Sequence, residues 1–329
     1  MSPGFRRTTY GQAIREGHAY LLERHPEVFV IGQGLWSPWY VGNSMTDLDV
    51  EFGRDRVIDS PVSELACTGA AAGAATVGKR PIVVHPRMDF MVLAADAMVT
   101  QAAYWSSMFG GRVRAPLVVR GIINRGGEQG AQHSQALHSW FAHVPGLRVA
   151  MPASVVDARD LLVSATLCDD PVLYVDDRWL YDLEGEIPDA VDHDALFRGA
   201  NLVRGGEDVT LAGAGYSVSL ALAAADRLAG LGVSAAVVDL RVLNPLDVSP
   251  VVKSVAHTGR LVAVDGGWTT CGLAGEIIAA AVERVDPAAL KARPRRMTLA
   301  DFPAPSSGAL ERLYYPTAET IVKAVQEMV

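Results

Sequence analysis

The chain has 329 residues, half of them hydrophobic and a fifth charged, which allows a large buried core and two domains. Its formal net charge is -8 and no run of lysine or arginine occurs, which argues against nucleic-acid and membrane-surface partners. Because we find no apolar stretch of signal-peptide or membrane-span length, we expect a cytoplasmic protein with no membrane partner.

Short apolar runs alternate with helix-like segments through the first half of the chain. The runs that predict strands buried on both faces are residues 28–32, 81–85, 115–121, 147–152 and 171–175. Tyr10, Ala13 and Ile14 share one face of the first predicted helix with Gly17 and Leu21, and Thr8 or Thr9 is its N-cap. Ser154 is the predicted cap of a later helix. Residues 67–78 are rich in alanine and glycine, which allows a helix to approach a neighbouring backbone closely.

The composition becomes acidic and loop-like over residues 184–193, and the alternation then resumes. Strands are predicted within residues 208–215, 234–240, 260–267 and 295–300, and helices within 217–232, 248–259, 273–285 and 317–329. This order predicts two open, mostly parallel α/β sheets, whose ligands bind at the carboxyl ends of strands. We therefore predict domains at 1–185 and 196–329, joined by a linker at 186–195.

One glycine-rich turn resembles part of a dinucleotide-binding fingerprint. Gly213 and Gly215 lie between a strand and a helix, and Asp239 ends the next strand. Val218 occupies the third glycine position, where a branched side chain would keep helix and strand apart. A plain turn between strand and helix is the better interpretation.

His133 and Glu64 are the strongest candidates for chemistry. His133 lies in a glycine-rich polar loop after a predicted strand, where imidazole could transfer protons or stabilise an oxyanion. An ordinary surface histidine is the alternative, and the lack of a GxSxG motif disfavours a serine hydrolase. Glu64 begins the alanine-rich helix, either as a first-turn acid favoured by the helix dipole or as a carboxylate that binds a ligand nitrogen.

The sequence predicts no metal site and no disulfide. The eight histidines lack HExxH spacing, and the three cysteines lack CxxC spacing. Those cysteines are Cys67, Cys168 and Cys271.

Three stretches together, residues 57–75, 90–111 and 130–162, resemble the beta subunit of thiamin-diphosphate-dependent 2-oxo acid dehydrogenases. The most specific are the I-D-x-P-x-S-E and QHSQ motifs, and residues 208–215, 237–247, 264–268 and 301–305 follow the same family in order. The resemblance implies a transketolase-like pyrimidine-binding domain followed by a transketolase C-terminal domain. It also implies an oxidoreductase that decarboxylates a 2-oxo acid and transfers the acyl group to a lipoyl protein.

The resemblance further implies a companion alpha subunit, which binds the diphosphate through Mg²⁺ with a GDG motif that this chain lacks. Two alpha and two beta subunits would form an α2β2 assembly, and a lipoyl acyltransferase core is a further possible partner. Glu64 matches the glutamate that hydrogen-bonds the aminopyrimidine ring of the cofactor. Phe90 matches the aromatic residue that stacks on that ring, and His133, preceded by Gln132, matches the loop histidine that contacts substrate.

The chain also departs from the family pattern near the expected cofactor site. Gly34 and Leu93 occupy positions where the family carries acids of a carboxylate relay, and only Asp96 is acidic further along that helix. His85 and Arg87 are introduced close to the expected pocket. Cys168 replaces an aspartate in the family's potassium loop, so that ion is not expected.

These departures keep a second hypothesis open. His85, Arg87 and the lost acids are compatible with a two-chain enzyme that joins carbon fragments, such as an acyloin synthase or split transketolase without a lipoyl acceptor. Arg87 could pair there with a carboxylate or phosphate of a second substrate, or it could be a solvated loop charge. A non-catalytic scaffold is a third reading, disfavoured because Glu64 and His133 are both present.

Overall fold

The computed structural model describes residues 4–37 and 39–329 and divides the chain into two compact units. Unit 1 comprises the residues up to Asn124 together with Trp140–Arg198, and unit 2 comprises Arg125–Ser139 and Gly199–Val329. The loop that carries His133 therefore groups with the second unit although the surrounding sequence belongs to the first. The predicted domain limits at 185 and 196 stay a prediction.

The described residues form both strands and helices in alternation. The strands are β1 (Phe5–Thr9), β2 (Val28–Gly32), β3 (Val57–Asp59), β4 (Arg80–His85), β5 (Val118–Ile123), β6 (Arg148–Ala150), β7 (Val172–Asp177), β8 (Glu184–Pro188), β9 (Asn201–Arg204), β10 (Val209–Gly213), β11 (Ala235–Asp239), β12 (Val242–Asn244), β13 (Leu261–Trp268) and β14 (Arg295–Leu299). The α-helices are α1 (Tyr10–Arg24), α2 (Leu48–Phe52), α3 (Glu64–Thr76), α4 (Met88–Met91), α5 (Tyr104–Met108), α6 (His138–Ala142), α7 (Val155–Leu167), α8 (Tyr216–Ala229), α9 (Ser249–Thr258), α10 (Leu273–Val282), α11 (Gly308–Tyr314) and α12 (Ala318–Gln326). A π-helical segment covers Asp96–Ala103.

The strands of unit 1 follow the order β6-β7-β5-β4-β2-β3 and pair in parallel. Every residue of β5 and β7 is buried, as is typical of a parallel sheet covered on both faces. The predicted strands of the first half are confirmed. β1 pairs antiparallel with β8 apart from this sheet.

The helix predictions are also confirmed at their first turns. The Thr9 hydroxyl accepts a hydrogen bond from the Gln12 amide, which caps α1, and the Ser154 hydroxyl caps α7 in the same way. The apolar face of α1 that the sequence predicts is buried.

An ion pair in the core of unit 1 joins β5 to β7. The Arg120 guanidinium donates to both carboxylate oxygens of Asp176, at 3.0 and 2.8 Å, and neither side chain is exposed. The Tyr181 hydroxyl donates to the same carboxylate. Breaking such a buried pair leaves an uncompensated charge and typically costs about 3–5 kcal/mol. Because Tyr181 lies after β7 and donates to Asp176, this hydrogen bond holds the chain that follows β7 against the sheet.

Unit 2 contains a second sheet in the order β14-β13-β10-β11-β9, parallel except for β9. Fold class and sheet type are thus as predicted. Gly213 ends β10 so close to the Val264 carbonyl that a side chain would clash, and Gly215 begins α8 with φ +54°. The turn itself therefore accounts for both glycines.

Sequence periodicity missed several features. β1 is largely exposed and charged, and its partner β8 lies far along the chain, so no local pattern indicates it. The alanine-rich helix is confirmed as α3, in which Ala71, Ala72 and Ala75 are buried, and the helix packs against β4 and the π-helical segment. Gly69 and Gly73, by contrast, border open space among the described residues. Among the described residues, no helix is both long and apolar enough to cross a membrane.

Candidate active site

Glu64 lies at the carboxyl edge of the first sheet, on the first turn of α3 just after β3. Its side chain is only 7% exposed. The Gln33 amide, which follows β2, donates a hydrogen bond of 2.9 Å to Glu64 Oε1. Since β2 and β3 are adjacent parallel strands, their ends bring these two side chains together. Sequence reasoning identified Glu64 and did not identify its partner.

Asp59 fixes the turn that carries Gln33. Its Oδ1 atom accepts hydrogen bonds from the backbone amides of Gly34 and Leu35, at 2.6 and 3.3 Å. Gly34 has φ +65°, and a Cβ there would strike the Tyr40 ring. The residue that replaces a family acid is thus required by the local backbone, and the aspartate of the I-D-x-P motif shapes the turn.

His85 ends β4 and is buried close to Glu64. One ring nitrogen, Nε2, lies 3.1 Å from the Thr68 hydroxyl on α3. Burial lowers the pKa of His85 to about 4, although the negative charge of Glu64 acts in the opposite direction. His85 is therefore neutral near pH 7. Its predicted place in the cofactor pocket stays a prediction.

The elements that follow His85 present apolar groups. Phe90 on α4 is 38% exposed and Leu93 is 64% exposed, and α3 packs against the turn Val92–Ala94 that contains Leu93. An aminopyrimidine needs a hydrogen bond at its edge and an apolar surface at its face, which a buried carboxylate and a partly exposed aromatic ring can respectively provide. The specific roles of Glu64, Phe90 and Leu93 stay predictions.

The loop Arg125–Ser139 is tied to the rest of unit 2 along its length. Arg125 Nη1 donates to the Gly266 carbonyl at 3.1 Å, and the Ser139 hydroxyl accepts from the Leu273 amide at 3.0 Å. The Glu128 carboxylate accepts from the Gly308 amide, and the Glu128 amide donates to Glu311. Within this loop His133 is half-buried and Gln132 is exposed, and their catalytic and substrate-binding roles stay predictions.

A buried pair also holds the end of this loop. His138 Nε2 lies 2.9 Å from Asp265 Oδ1 on β13, and both side chains are at most 2% exposed. Burial alone would raise the pKa of Asp265, but His138 and the amides of Gly267 and Ala274 hold that pKa below its ordinary value. Sequence reasoning placed His138 and Asp265 within stretches that resemble the family, but it did not predict that they pair, because they lie 127 positions apart.

The segment that corresponds to the family's potassium loop contains ion pairs between protein groups. Asp169 pairs with Arg80, and Asp170 pairs with Arg114 and Arg148, while Cys168 is buried. Across residues 4–37 and 39–329, no group of three or more histidine, cysteine, aspartate or glutamate side chains is placed to hold a metal ion.

Asp265→Asn is expected to destabilise unit 2 by about 3–5 kcal/mol at pH 7, because it breaks a buried pair. A carboxyl whose pKa is depressed on folding stabilises above its unfolded pKa, and that contribution is lost as the pH falls through the folded pKa. The difference in the free energy of urea unfolding between wild type and variant should therefore shrink below about pH 4, near the ordinary carboxyl pKa.

The control is Asp226→Asn, which removes an exposed ion pair with Arg204 in the same unit and should change stability little. Equal losses in both variants, or a difference that does not depend on pH, would contradict the role given to the His138–Asp265 pair.

Known protein families and relatives match almost the whole chain. The family described as the transketolase pyrimidine binding domain matches residues 6–182, and the transketolase C-terminal domain matches residues 199–321. The acetoin:2,6-dichlorophenolindophenol oxidoreductase subunit beta of Cupriavidus necator is 39% identical, over 96% of this chain and 95% of the relative. The pyruvate dehydrogenase E1 component subunit beta of Caenorhabditis elegans is 36% identical, over 97% of this chain and 92% of the relative.

A solved structure shares the fold. The inactive beta4 tetramer of a split gene transketolase has a TM-score of 0.74 at 24% identity, and the match covers 97% of this chain and 96% of that one. The order of the two matched domains and the full-length relatives confirm the resemblance found in the sequence. The chain belongs to the family of beta subunits of thiamin-diphosphate-dependent 2-oxo acid dehydrogenases.

Proposed function

We propose that this chain forms, with an alpha subunit, a thiamin-diphosphate-dependent enzyme that decarboxylates a 2-oxo acid and passes the acyl group to a lipoyl protein. The observation that carries the proposal is the buried Glu64 at the carboxyl edge of the first sheet, with Oε1 held by Gln33. The relatives are named as an acetoin oxidoreductase and a pyruvate dehydrogenase, so carbon–carbon bond formation and a scaffold role are not favoured.

The proposal assigns a role to each of the four candidate residues of unit 1. Glu64 hydrogen-bonds a ring nitrogen of the aminopyrimidine, Gln33 fixes the orientation of Glu64, and Phe90 offers an aromatic face to the ring. His85 remains neutral and adds no charge beside Glu64. Bound thiamin diphosphate supplies a carbon nucleophile and accepts the electrons released by decarboxylation.

We also assign a role to His133, which lies in unit 2. Its half-buried imidazole lies in a loop held by backbone and side-chain hydrogen bonds at both ends, which limits the freedom of the ring. We assign it hydrogen bonding to the substrate carbonyl oxygen as charge develops there. The alpha subunit would hold Mg²⁺ and the diphosphate, since this chain has no GDG motif.

The names of the relatives suggest which class of substrate to propose. Proteins from Cupriavidus necator and Bacillus subtilis are named for acetoin, and the one from Caenorhabditis elegans for pyruvate. Both molecules carry an acetyl group beside the bond that is broken. We therefore propose a substrate that delivers an acetyl-sized acyl unit.

Glu64→Gln is expected to lower kcat of the reconstituted two-chain enzyme by about 100-fold or more, the range typical for loss of a proton-transfer group. The assay measures pyruvate-dependent reduction of 2,6-dichlorophenolindophenol and acetylation of lipoamide. Glu23→Gln on the exposed side of α1 is the control and should leave both rates unchanged. Unchanged turnover in Glu64→Gln would contradict the catalytic assignment and support a scaffold.

Gln33→Ala should lower kcat by about 10-fold or more while thiamin diphosphate still binds. The substitution removes one hydrogen bond to a charged group, an interaction of about 1.5–3 kcal/mol, and leaves the carboxylate in place. Gln33→Asn tests reach with the amide retained, and Gln12→Ala on the exposed face of α1 is the control. A Gln33→Ala enzyme with wild-type kcat would show that Glu64 needs no positioning.

One face of α3 indicates where another subunit packs. Leu65 is 50% exposed, and Gly69 and Gly73 border open space on the same helix. A cavity of about 180 Å³ lies between α3 and the π-helical segment, lined by Gly69, Ala72, Gly73, Thr76, Gln101, Ala102, Trp105 and Ala115. Small residues that open an apolar surface permit close helix contact. We propose that this face is covered in an α2β2 assembly.

Gly73→Leu should prevent that assembly without unfolding the chain. Leucine favours a helix over glycine, so the melting temperature of the isolated chain should not fall, whereas the added side chain fills the contact surface. Size-exclusion chromatography with light scattering on the co-expressed subunits measures the outcome. Ala223→Leu, on the exposed face of α8, is the control. Normal assembly of Gly73→Leu would exclude this face.

A lipoyl acyltransferase core as a further partner is part of the proposed reaction. The cytoplasmic location inferred from the sequence stays a prediction.

A further inference from the structure

Glu128 has a backbone conformation that its residue type disfavours. Its φ is +62°, and it is one of four non-glycine residues with positive φ in the described part of the chain. The neighbouring Gly126, Gly127 and Gly130 also have positive φ, which glycine adopts at little cost. A glutamate is strained there, because its Cβ crowds the backbone in the left-handed region. Such strain persists only where surrounding contacts compensate for it.

Two hydrogen bonds join Glu128 to α11. Its Oε1 atom accepts from the Gly308 amide, the first residue of that helix, at 2.6 Å. Its own amide donates to Glu311 Oε2 at 2.9 Å, and Glu311 is only 8% exposed. We call these two hydrogen bonds the loop–α11 contact. A glycine at position 128 would avoid the strain but could not supply the carboxylate, so the side chain accounts for the presence of a strained glutamate.

The loop–α11 contact lies close to His133 along the chain. Gly130 is buried, and a Cβ there would stand 3.3 Å from Ser306 Cβ, so the loop backbone also runs against the segment before α11. The His133 amide donates to the Gly130 carbonyl, which closes a turn. On the other side of His133 the buried His138–Asp265 pair holds the chain. His133 therefore lies between two restrained points of the same unit.

We propose that Glu128 is a positioning residue for His133 and acts through the loop–α11 contact. The proposal rests on the proposed function for the role of His133 in hydrogen bonding to the substrate carbonyl oxygen. Loss of the contact lengthens the stretch of chain that can move between restraints, and a longer flexible stretch loses more conformational entropy when it is ordered. A hydrogen-bond donor assists the reaction most when it is held in place before charge develops on the substrate.

Two variants of Glu128 separate the side-chain acceptor from the backbone. The residue is exposed, so we expect both variants to fold, which circular dichroism checks. In the reconstituted two-chain enzyme with pyruvate, Glu128→Ala should lower kcat and kcat/KM together by about 10-fold, the effect of one lost charge-assisted hydrogen bond. Glu128→Gln keeps a carbonyl oxygen at the same reach and should restore kcat to within about 3-fold of wild type.

A double variant tests whether Glu128 acts through His133. In a His133→Ala background, Glu128→Ala should lower kcat by less than about 2-fold, because no imidazole remains to be positioned. Glu319→Ala, an exposed acid on α12 of the same unit, is the control and should leave kcat unchanged. A full 10-fold loss from Glu128→Ala in both backgrounds, or wild-type kcat in Glu128→Ala alone, would overturn the positioning role.

Hydrogen–deuterium exchange of the full chain tests the contact without the alpha subunit or cofactor. Peptides from residues 126–137 should exchange faster in Glu128→Ala than in wild type and Glu128→Gln, while peptides from α8 stay unchanged. Equal exchange of the loop in wild type and Glu128→Ala would overturn the proposal. If His133→Ala leaves kcat unchanged, the role of His133 in the proposed function fails and the positioning role with it, whereas the exchange result still decides whether Glu128 orders the loop.

Discussion

Parallel pairing of β2, β3 and β4 is the constraint on which the site of unit 1 depends. Parallel strands end at the same edge of a sheet, so the ends of these strands and the segments that follow them bring Gln33, Glu64 and His85 to that edge. A one-residue slip of register would turn each side chain to the opposite face. The buried apolar strands, which carry no chemistry themselves, thus decide which polar groups meet.

Each unit holds its candidate segment with buried or partly buried polar contacts. In unit 1, Asp59 shapes the turn that brings the Gln33 amide to Glu64. In unit 2, Asp265 pairs with His138 and accepts hydrogen bonds from two backbone amides, and these contacts fix the end of the loop that carries His133. A buried pair of this kind contributes little net stability compared with apolar packing, but breaking one partner is costly. Such contacts therefore suit the restraint of the side chains to which we assign catalytic roles.

Sequence alone predicted what depends on local pattern. Apolar runs predicted the sheet strands, and hydroxyl residues before helices predicted the caps Thr9 and Ser154. Motif spacing made Glu64 a candidate, and its role stays a prediction. The sequence did not predict that Gln33 contacts Glu64 or that Asp265 contacts His138. The first two residues are 31 positions apart in the chain, and the second two are 127 positions apart. Long-range polar contacts leave no periodic signal in a sequence.

The most direct test of the account is a structure of the assembly with the alpha subunit, Mg²⁺ and thiamin diphosphate, determined by crystallography or cryo-electron microscopy. The account predicts that the Glu64 carboxyl lies within hydrogen-bond distance of an aminopyrimidine nitrogen while Gln33 still contacts its other oxygen. A bound cofactor whose pyrimidine ring makes no contact with Glu64 would contradict it.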